Sequence, residues 1–378
     1  MTCKVTVQKN TFSESLAIVG RSVGSHAHMP ILSNVQLSKD EGHLCLSATN
    51  LTMGVTAWMD ASMDGDLSLT LPAKTLADVV NSLTEPEVVF TVNGQPEAVI
   101  KCGAYKGIIK GIDAGEFPPL PNMDQSNGIS LDAEIFKECI RKVAYAASAD
   151  DSRPVLGGVL VTMEGNTLSC VATDGFRLAI NKVSLTASLP QKQLIIPAVT
   201  LKEVARILNV VKTSHFTLFI PETGSQIGFR CENVQIVSQL VDGKYPDYWA
   251  ILPKGHKTRA MIDRNELLKA CKQAAIIARE CNNVIHLHLL PPGSDQKGKV
   301  KIQAEADEAG ASEIELEATI EGQELEIAFN VKFLQDVLEI ISAGKVIIET
   351  NAHNTPAVIR PVDREEDYIS VLMPMHIS

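Results

Sequence analysis

Several features that mark other protein classes are missing from this 378-residue sequence. No apolar run approaches the about 18 residues that a membrane-spanning helix needs. None of the eight cysteines belongs to a C-x-x-C pair, which argues against a zinc site or a dithiol redox motif. No P-loop, G-x-G-x-x-G or H-E-x-x-H motif is present. With 45% hydrophobic and 21% charged residues, the composition predicts a soluble cytosolic protein with reduced thiols and no cofactor.

Candidate catalytic groups are few and isolated. Asp150 and Asp151 stand in a loop-like segment, and Asp174 stands in an Asp-Gly turn, where aspartates mostly bond their own backbone. His286 and His288 share one face of a strand-like run, which allows a two-ligand metal site, although no acid is near in sequence. We therefore predict a binding protein without catalytic residues. A metal-dependent hydrolase or nuclease, and a scaffold with no DNA role, are the alternatives.

The net charge of -11 is unevenly distributed along the chain. Nine acids and no lysine or arginine lie between Glu305 and Glu326, so the remainder of the chain is close to neutral. A strongly acidic protein is a poor candidate for binding nucleic acid, but a nearly neutral remainder can carry a local basic face. The global charge therefore does not exclude a DNA-binding function.

A short pattern, L-x-[DE]-V, recurs at spacings close to a third of the chain length. It occupies residues 76–79, 201–204 and 334–337, and each copy continues with apolar residues at helical spacing. A second pattern, E-[IL]-[FL]-K-x-C, occupies residues 134–139 and 266–271. Each third of the chain is thus expected to contain an early helix and a later helix.

The first third has its own early helix, which places Phe12, Leu16 and Val19 on one face. Between the helices lie short alternating strands, of which 313–320 alternates strictly between polar and apolar residues, as a half-exposed antiparallel strand does. The Pro-rich loops at 115–128 and 243–257 separate the repeats. These patterns predict an α+β chain of three similar domains, and we place the domains at 1–126, 127–254 and 255–378.

Basic residues recur on the outward faces of these helices. Lys202 and Arg206 lie together opposite the apolar side of their helix, and Lys269 and Lys272 lie opposite the apolar side of another. Lysine and arginine at such intervals suffice for contacts to phosphates without reading of bases. Ile276 projects onto the basic side of its helix, away from the core, and is therefore a candidate for a subunit contact.

Four segments carry a family resemblance: LPAKTLADVV, ATDGFRLA, LVDGKYPDYWAILP and the C-terminal VLMPM. Together they resemble the bacterial DNA polymerase III β subunit family, the sliding clamps, over the length of the chain. The resemblance implies the DNA-clamp fold, in which each domain has two helices packed on antiparallel sheets. It further implies a head-to-tail homodimer that forms a ring around duplex DNA and acts as a processivity factor, independently of base sequence.

The resemblance also implies protein partners: the DNA polymerase III alpha subunit, the clamp loader, and other polymerases and repair proteins that carry clamp-binding motifs. These bind as short linear segments in a pocket between the middle and last domains. Phe176 stands where the family commonly has histidine, and Ala250 where it often has a basic residue, which favours a more apolar pocket. The implied pocket residues are Leu156, Thr173, Gly175, Phe176, Arg177, Leu178, Pro246, Ile251, Val371, Leu372, Met373, Pro374 and Met375.

For the ring contact, the resemblance implies that Ile276 and Ile277 of the last domain face Ile109 of the first. In a first-domain loop where the family often has arginine, this chain has His26. The candidate DNA-binding residues are basic side chains of three helices and one loop. They are Lys137, Arg141, Arg153, Lys202, Arg206, Lys269 and Lys272.

Overall fold

The computed structural model describes residues 2–24, 29–120, 128–220, 224–293, 297–362 and 367–376. The chain forms two compact units. Unit 1 contains Met1–Ala133 and Glu203–Leu240, and unit 2 contains Glu134–Lys202 and Val241–Ser378. Over the described ranges, none of the helices has the length and apolar character needed to cross a membrane.

Six α-helices lie in the described part of the chain, and each follows directly on a β-strand. Their apolar side chains recur every three or four residues, so one stripe of each helix is buried. The three L-x-[DE]-V copies fall in the second, fourth and sixth helices, which confirms the predicted helical repeat. The helices are α1 (Lys9–Val19), α2 (Ala73–Ser82), α3 (Ala133–Val143), α4 (Ala198–Val211), α5 (Arg264–Ala278) and α6 (Val331–Ile340).

Capping side chains and buried stripes fix the helices where the sequence predicts them. In α1 the buried residues include Phe12, Leu16 and Val19, as expected from their spacing. Asp263 accepts hydrogen bonds from the first main-chain N–H groups of α5, and Asn330 does the same for α6. A side-chain oxygen at this position satisfies N–H groups that have no partner within the helix.

Unit 1 contains two antiparallel sheets. One has five strands in the order β5-β1-β7-β8-β9, and the other has eight in the order β10-β13-β14-β15-β4-β3-β2-β6. Helices α1 and α2 pack against each other, and α1 also packs on β3 and β4. The strands are β1 (Cys3–Gln8), β2 (Asn34–Asp40), β3 (His43–Thr49), β4 (Met53–Met59), β5 (Ser62–Asp64), β6 (Ser68–Pro72), β7 (Glu87–Val92), β8 (Glu97–Cys102), β9 (Tyr105–Lys110), β10 (Gly128–Asp132), β13 (His215–Phe219), β14 (Gln226–Cys231) and β15 (Val234–Gln239).

Unit 2 contains one antiparallel sheet of ten strands, in the order β11-β12-β23-β22-β21-β16-β19-β18-β17-β20. Helices α5 and α6 pack against each other, and α5 also packs on β18 and β19. The strands are β11 (Gly158–Thr173), β12 (Arg177–Pro197), β16 (Thr258–Asp263), β17 (Val284–Leu290), β18 (Lys299–Ala306), β19 (Gly310–Gly322), β20 (Leu325–Asn330), β21 (Lys345–Thr350), β22 (Ala357–Pro361) and β23 (Tyr368–Leu372).

Strand pairing joins consecutive repeats in the same way twice. In unit 1, β4 of the first repeat pairs antiparallel with β15, the last strand of the second. In unit 2, β12 of the second repeat pairs antiparallel with β23, the last strand of the third. Two strands in equivalent positions have no such partner in another repeat within the described residues. They are β9, the last strand of the first repeat, and β19 of the third, which is equivalent to β4 and β12. Strand β9 has a neighbour on one side only in its sheet. In β19, residues 318–322 pair with β16, and residues 310–317 pair, within the described part of the chain, with β18 alone.

Candidate functional site

The turn Thr173–Arg177, between β11 and β12, is held by side-chain hydrogen bonds to its own backbone. Thr173 Oγ1 donates to the Arg177 carbonyl at 2.6 Å and accepts from the Gly175 N–H at 3.1 Å. Asp174 Oδ1 accepts from the N–H groups of Phe176 at 2.9 Å and Arg177 at 3.0 Å. Gly175 has a φ of +94°, a conformation that residues with a Cβ rarely adopt. The sequence therefore fixes this turn locally.

This turn directs Phe176 into solvent, where 59% of the residue is exposed. The chain beyond β23 runs alongside, since the Met373 N–H donates to the Phe176 carbonyl at 2.9 Å. The register of β12 on β23 places Leu178 opposite Val371. Met373 is also exposed, so two large apolar side chains from distant parts of the sequence lie on adjoining segments. The predicted association of the turn with the VLMPM segment is thus present.

The floor beneath these residues is an apolar cluster in which Leu178, Val371 and Tyr245 are buried. Val155 and Leu252 pack against this cluster from its sides and are only partly buried. Flexible apolar side chains above a packed floor form a surface that can accommodate more than one apolar partner. We call the exposed residues Phe176, Ile251 and Met373, together with this floor, the docking surface.

Tyr245 is a structural residue of the docking surface that sequence reasoning missed. Its hydroxyl accepts a hydrogen bond from the Thr173 N–H at 3.1 Å and lies 3.4 Å from the Val171 carbonyl. Burial raises the pKa of Tyr245, so the hydroxyl keeps its proton and its donor function. The neighbouring Trp249 is exposed and lies under the Lys182 ammonium. Its ring packs against that of Tyr248 at 5.0 Å between centroids, with the two planes tilted by 33°. The signal available in the sequence was the aromatic content of GKYPDYWAILP.

The structure places the predicted pocket residues in three settings. Phe176, Pro246, Ile251 and Met373 are exposed, with Gly175 in the turn, while Pro374 and Met375 are partly buried. A buried group lies beneath them: Leu156, Thr173, Leu178, Val371 and Leu372.

Arg177, which the resemblance implies as a polar residue at the rim of the pocket, does not present its side chain to solvent. Only 12% of that side chain is exposed, and it forms ion pairs with Asp174 and Asp336. The reason is physical: a guanidinium lies against two aromatic rings and between two carboxylates, which stabilises it more than a position in solvent would.

The candidate DNA-binding residues are largely paired with acids. Arg141 bonds both oxygens of Glu138, and Arg206 bonds both oxygens of Glu203, each acid being three residues earlier on the same helix. These pairs offset the positive charge that the sequence predicted for the outward faces of the helices. Lys137 pairs with Glu134, Lys272 with Glu339 and Arg153 with Asp150.

Lys202 and Lys269 are the exposed cations among these candidates for which no ion pair is found in the described part of the chain. Partial burial of the lysine ammonium lowers the pKa of Lys202, and the positive charge of Arg177 lowers it further. His26 lies outside the described residues, so its predicted part in a DNA-facing loop stays a prediction.

The candidate subunit-contact residues show one clear difference from expectation. Ile276 is 58% exposed on α5, and Ile277 beside it is half-buried. Ile109, however, is only 6% exposed and belongs to the core of unit 1, whereas Ile108 is 60% exposed. Successive residues of a strand point to opposite faces, so a one-residue error in choosing the outward position reverses the assignment.

The groups considered for catalysis do not assemble into a reactive cluster. Asp174 bonds its own turn, as predicted, and Asp150 accepts hydrogen bonds from the Ser152 main chain and hydroxyl, which lower the pKa of Asp150. His286 lies 2.9 Å from Glu326, an acid that the sequence did not place near the histidine pair. Within the described residues, no set of three histidine, cysteine, aspartate or glutamate side chains is arranged to hold a metal ion.

Known proteins match this chain along its whole length. Family models of the DNA polymerase III beta subunit match in order: the N-terminal domain over residues 3–121, the central domain over 130–247 and the C-terminal domain over 250–376. The beta sliding clamp of Synechococcus elongatus is 30% identical over 363 residues, which cover 95% of this chain and 96% of that protein.

Solved structures agree with these matches. The crystal structure of a DNA polymerase sliding clamp from Bacillus subtilis has a TM-score of 0.92 at 27% identity and is covered over 100% of both chains. A sliding clamp from Pseudomonas aeruginosa bound to griselimycin has a TM-score of 0.89 at 28% identity, again over 100% of both chains. The resemblance drawn from the sequence motifs and the α+β clamp fold are confirmed by these comparisons. The chain belongs to the DNA polymerase III beta subunit family, the beta sliding clamps.

Proposed function

We propose that this sliding clamp tethers its partners to DNA by binding a short apolar segment of each partner at the docking surface. The observation that carries the proposal is the exposure of Phe176 and Met373 beside a packed apolar floor. Ile251 is also exposed and precedes Leu252, which packs on that floor. Large apolar side chains are normally withdrawn from solvent, and a group of them around a fixed turn is typical of a binding site. The replicative polymerase subunit, the clamp loader and other polymerases and repair proteins are the proposed partners.

A relative supports the proposal, because a Pseudomonas aeruginosa sliding clamp was crystallised bound to griselimycin. Griselimycin is therefore a suitable probe for this chain. We expect calorimetry to detect its binding, and we expect Phe176→Ala and Met373→Ala each to weaken binding by about tenfold or more, as anchor residues at the centre of an interface do. Leu51→Ala is the matched control, since Leu51 is an exposed apolar residue of a turn in unit 1. Unchanged affinity in both variants would exclude this docking surface.

We also propose that two copies close into a ring around duplex DNA through β9 of one copy and β19 of its partner. Support comes from the repeated pairing of β4 with β15 and of β12 with β23, which leaves these two strands as the corresponding pair. Strand β9 carries Lys106 and Lys110 and no acid, whereas β19 carries four acids and no lysine or arginine. Two of these acids, Glu313 and Glu315, already pair with Lys301 and Lys299 of β18. A contact of this head-to-tail kind, used twice, closes a ring.

Sedimentation velocity tests the ring contact. We expect a mass of twice 40.9 kDa for the native chain and a shift toward the monomer for Ile108→Asp or Ile276→Asp, because a charge would be buried at the contact. Leu51→Asp is the control of similar exposure. A native chain that sediments as a monomer at micromolar concentration would contradict the proposal, as would failure of the clamp to remain on circular DNA after loading.

The DNA contact is proposed to use exposed lysines of the helices rather than base-reading side chains. We favour Lys202 and Lys269, because Arg141 and Arg206 already bond acids of their own helices. Replacing both lysines by alanine should reduce the salt dependence of DNA binding, by about one unit of slope for each lost phosphate contact. Lys297→Ala on the acidic part of unit 2 is the control. An unchanged salt dependence would support a scaffold without a DNA role.

We propose domain boundaries near residues 126 and 254, and a binding protein without catalytic residues of its own. The breaks between the three family matches, near 121–130 and 247–250, support this division. DNA hydrolysis by the purified chain that disappears on replacing Asp150 or Asp151 would instead favour the nuclease alternative.

A further inference from the structure

The Arg177 guanidinium joins the Thr173–Arg177 turn to α6, a helix that begins more than a hundred and fifty residues later in the chain. Its Nε donates to Asp174 Oδ2 at 2.9 Å, within the turn, and its Nη1 donates to Asp336 Oδ2 at 2.5 Å, on α6. The guanidinium thus bridges the carboxylate that fixes the turn and a carboxylate of the helix.

Two aromatic rings enclose the same guanidinium. Its carbon lies 4.5 Å from the centroid of Phe333 on α6 and 5.3 Å from that of Tyr145. Tyr145 is itself fixed, since its hydroxyl lies 2.9 Å from the Tyr368 hydroxyl and 3.0 Å from that of Ser370, both on β23. Because rings and carboxylates surround the guanidinium, its orientation is fixed. It therefore holds the turn and α6 in a fixed position relative to each other.

Asp336 is the acid of the third L-x-[DE]-V motif, which gives that repeated residue a specific contact. In the second copy, Glu203 instead bonds Arg206 of its own helix. In the first repeat, Met53 stands at the position equivalent to Arg177. The Thr49 hydroxyl donates to the Met53 carbonyl, as the Thr173 hydroxyl donates to the Arg177 carbonyl. Among the described residues, the motif acid is joined to a turn only where that turn carries the exposed Phe176.

We propose that Asp336 is a positioning residue for ligand binding at the docking surface, because it holds Arg177 and thereby the turn that presents Phe176. This inference rests on the proposed function of that surface. Asp336 touches no ligand in this arrangement. It reduces the number of conformations that the turn can adopt before a ligand binds, and pre-ordering of this kind increases affinity.

Asp336 also stabilises the charge of a second cation, Lys202. The pKa of Lys202 is lowered by burial and by Arg177, and Asp336 opposes this lowering. Without the carboxylate, the guanidinium would keep Asp174 as its one acidic partner among the described residues, and the repulsion between Arg177 and Lys202 would no longer be offset. A largely buried cation that loses one of its acids is expected to move toward solvent. The hydrogen bonds from Phe176 and Arg177 to Asp174 would then be strained or lost.

The ligand-free test is amide hydrogen exchange in the intact chain. In Asp336→Asn we expect exchange at the Phe176 and Arg177 amides to accelerate by about tenfold, as for a locally opened segment. The corresponding amides of Thr52 and Met53 bond Asn50 in the same way in unit 1 and should exchange at the native rate. Glu339→Gln, which removes another α6 acid that pairs with Lys272, is the matched control variant.

The ligand test uses griselimycin as the probe. We expect Asp336→Asn to weaken its binding by about tenfold, which is the usual effect of losing one hydrogen bond to a charged group. Asp336→Glu keeps the carboxylate and should restore affinity to within about threefold of native, whereas a purely structural disturbance would not be rescued. Glu339→Gln should bind griselimycin as the native chain does.

Three results would overturn the role of Asp336: unchanged exchange at Phe176 and Arg177, acceleration shared equally by both turns, or no recovery of affinity in Asp336→Glu. Failure of the docking surface is a separate result. If Phe176→Ala leaves griselimycin binding unchanged, the proposed function is wrong. The exchange measurement, which uses no ligand, still decides whether Asp336 orders the turn.

Discussion

The turn at residues 49–53 in unit 1 and the turn at 173–177 in unit 2 share one backbone arrangement. Thr49 Oγ1 donates to the Met53 carbonyl at 3.0 Å and accepts from the Leu51 N–H at 3.0 Å, as Thr173 does in its own turn. Asn50 accepts from the N–H groups of Thr52 and Met53, as Asp174 does from its neighbours. The two turns therefore form through the same local hydrogen bonds.

The side chains that the two turns display are different. At the position of Gly175, the first turn has Leu51 with a φ of +73°, and at the position of Phe176 it has Thr52. Gly54 takes the place of Leu178, and the side chain of Leu120 lies over it, 2.5 Å from where a Cβ would stand. One turn displays the exposed Phe176 above the buried Leu178, and the other has Thr52 and Gly54 at these positions. Both repeats therefore share the backbone geometry of the turn, and the proposed docking surface differs from the first turn in the side chains at these positions.

The largest difference is expected at the floor of the turns. Leu178→Ala should reduce the free energy of unfolding of unit 2 by about 2–5 kcal/mol, because it empties a buried site, and should abolish griselimycin binding. Gly54→Ala should cost less than about 1 kcal/mol, because the flexible end of Leu120 can rotate away. Denaturation followed by the fluorescence of Trp58 for unit 1 and Trp249 for unit 2 measures both. Equal losses would contradict the assigned floor.

An intermediate and equal loss is expected at the two threonines. Thr173→Val and Thr49→Val each remove a hydroxyl that donates to one main-chain group and accepts from another, at a cost of about 1–2 kcal/mol. Only Thr173→Val should also weaken griselimycin binding, by several fold, and calorimetry on both variants checks this. Weaker binding in Thr49→Val would place part of the ligand site in unit 1.

The smallest effect is expected at the residue with positive φ. Leu51→Gly should stabilise unit 1 by up to about 1 kcal/mol, since relief of a left-handed conformation exceeds the entropy cost of glycine. The reverse change, Gly175→Leu, should destabilise unit 2 by up to about 1 kcal/mol for the same reason. Urea denaturation of both variants provides the measurement. Destabilisation by Leu51→Gly would mean that the exposed Leu51 side chain makes a contact of its own.

Local sequence patterns were sufficient to predict the repeated helices and the turn, whereas the neighbouring VLMPM segment was implied by the family resemblance. The stripe of Phe12, Leu16 and Val19 and the Asp174-Gly175 pair are determined by residues within one or two turns of chain. Such signals depend on periodicity and local hydrogen bonding, which a single sequence contains. The clamp family could be inferred because these short signals occur together in a fixed order.

What the sequence could not supply depends on distant residues or on a single position of register. Arg177 is buried because Asp336 and Phe333 reach it from α6, and nothing near Arg177 in sequence announces those partners. Ile108 rather than Ile109 is exposed because of the facing of one strand. The pairing of helix cations with acids three residues earlier could have been weighted more heavily, since that spacing is visible in the sequence.

The strand pairs that join the repeats have a consequence for any attempt to produce one repeat alone. A fragment spanning only the middle third would lose β4 beside β15 and β23 beside β12, so two strand edges would become free at once. Free edges recruit other strands and promote aggregation. The boundary between the compact units also crosses α4, between Lys202 and Glu203, so cutting there would divide a helix. Each unit also consists of two separate stretches of chain, so neither a single repeat nor a single unit is expected to form a soluble fragment.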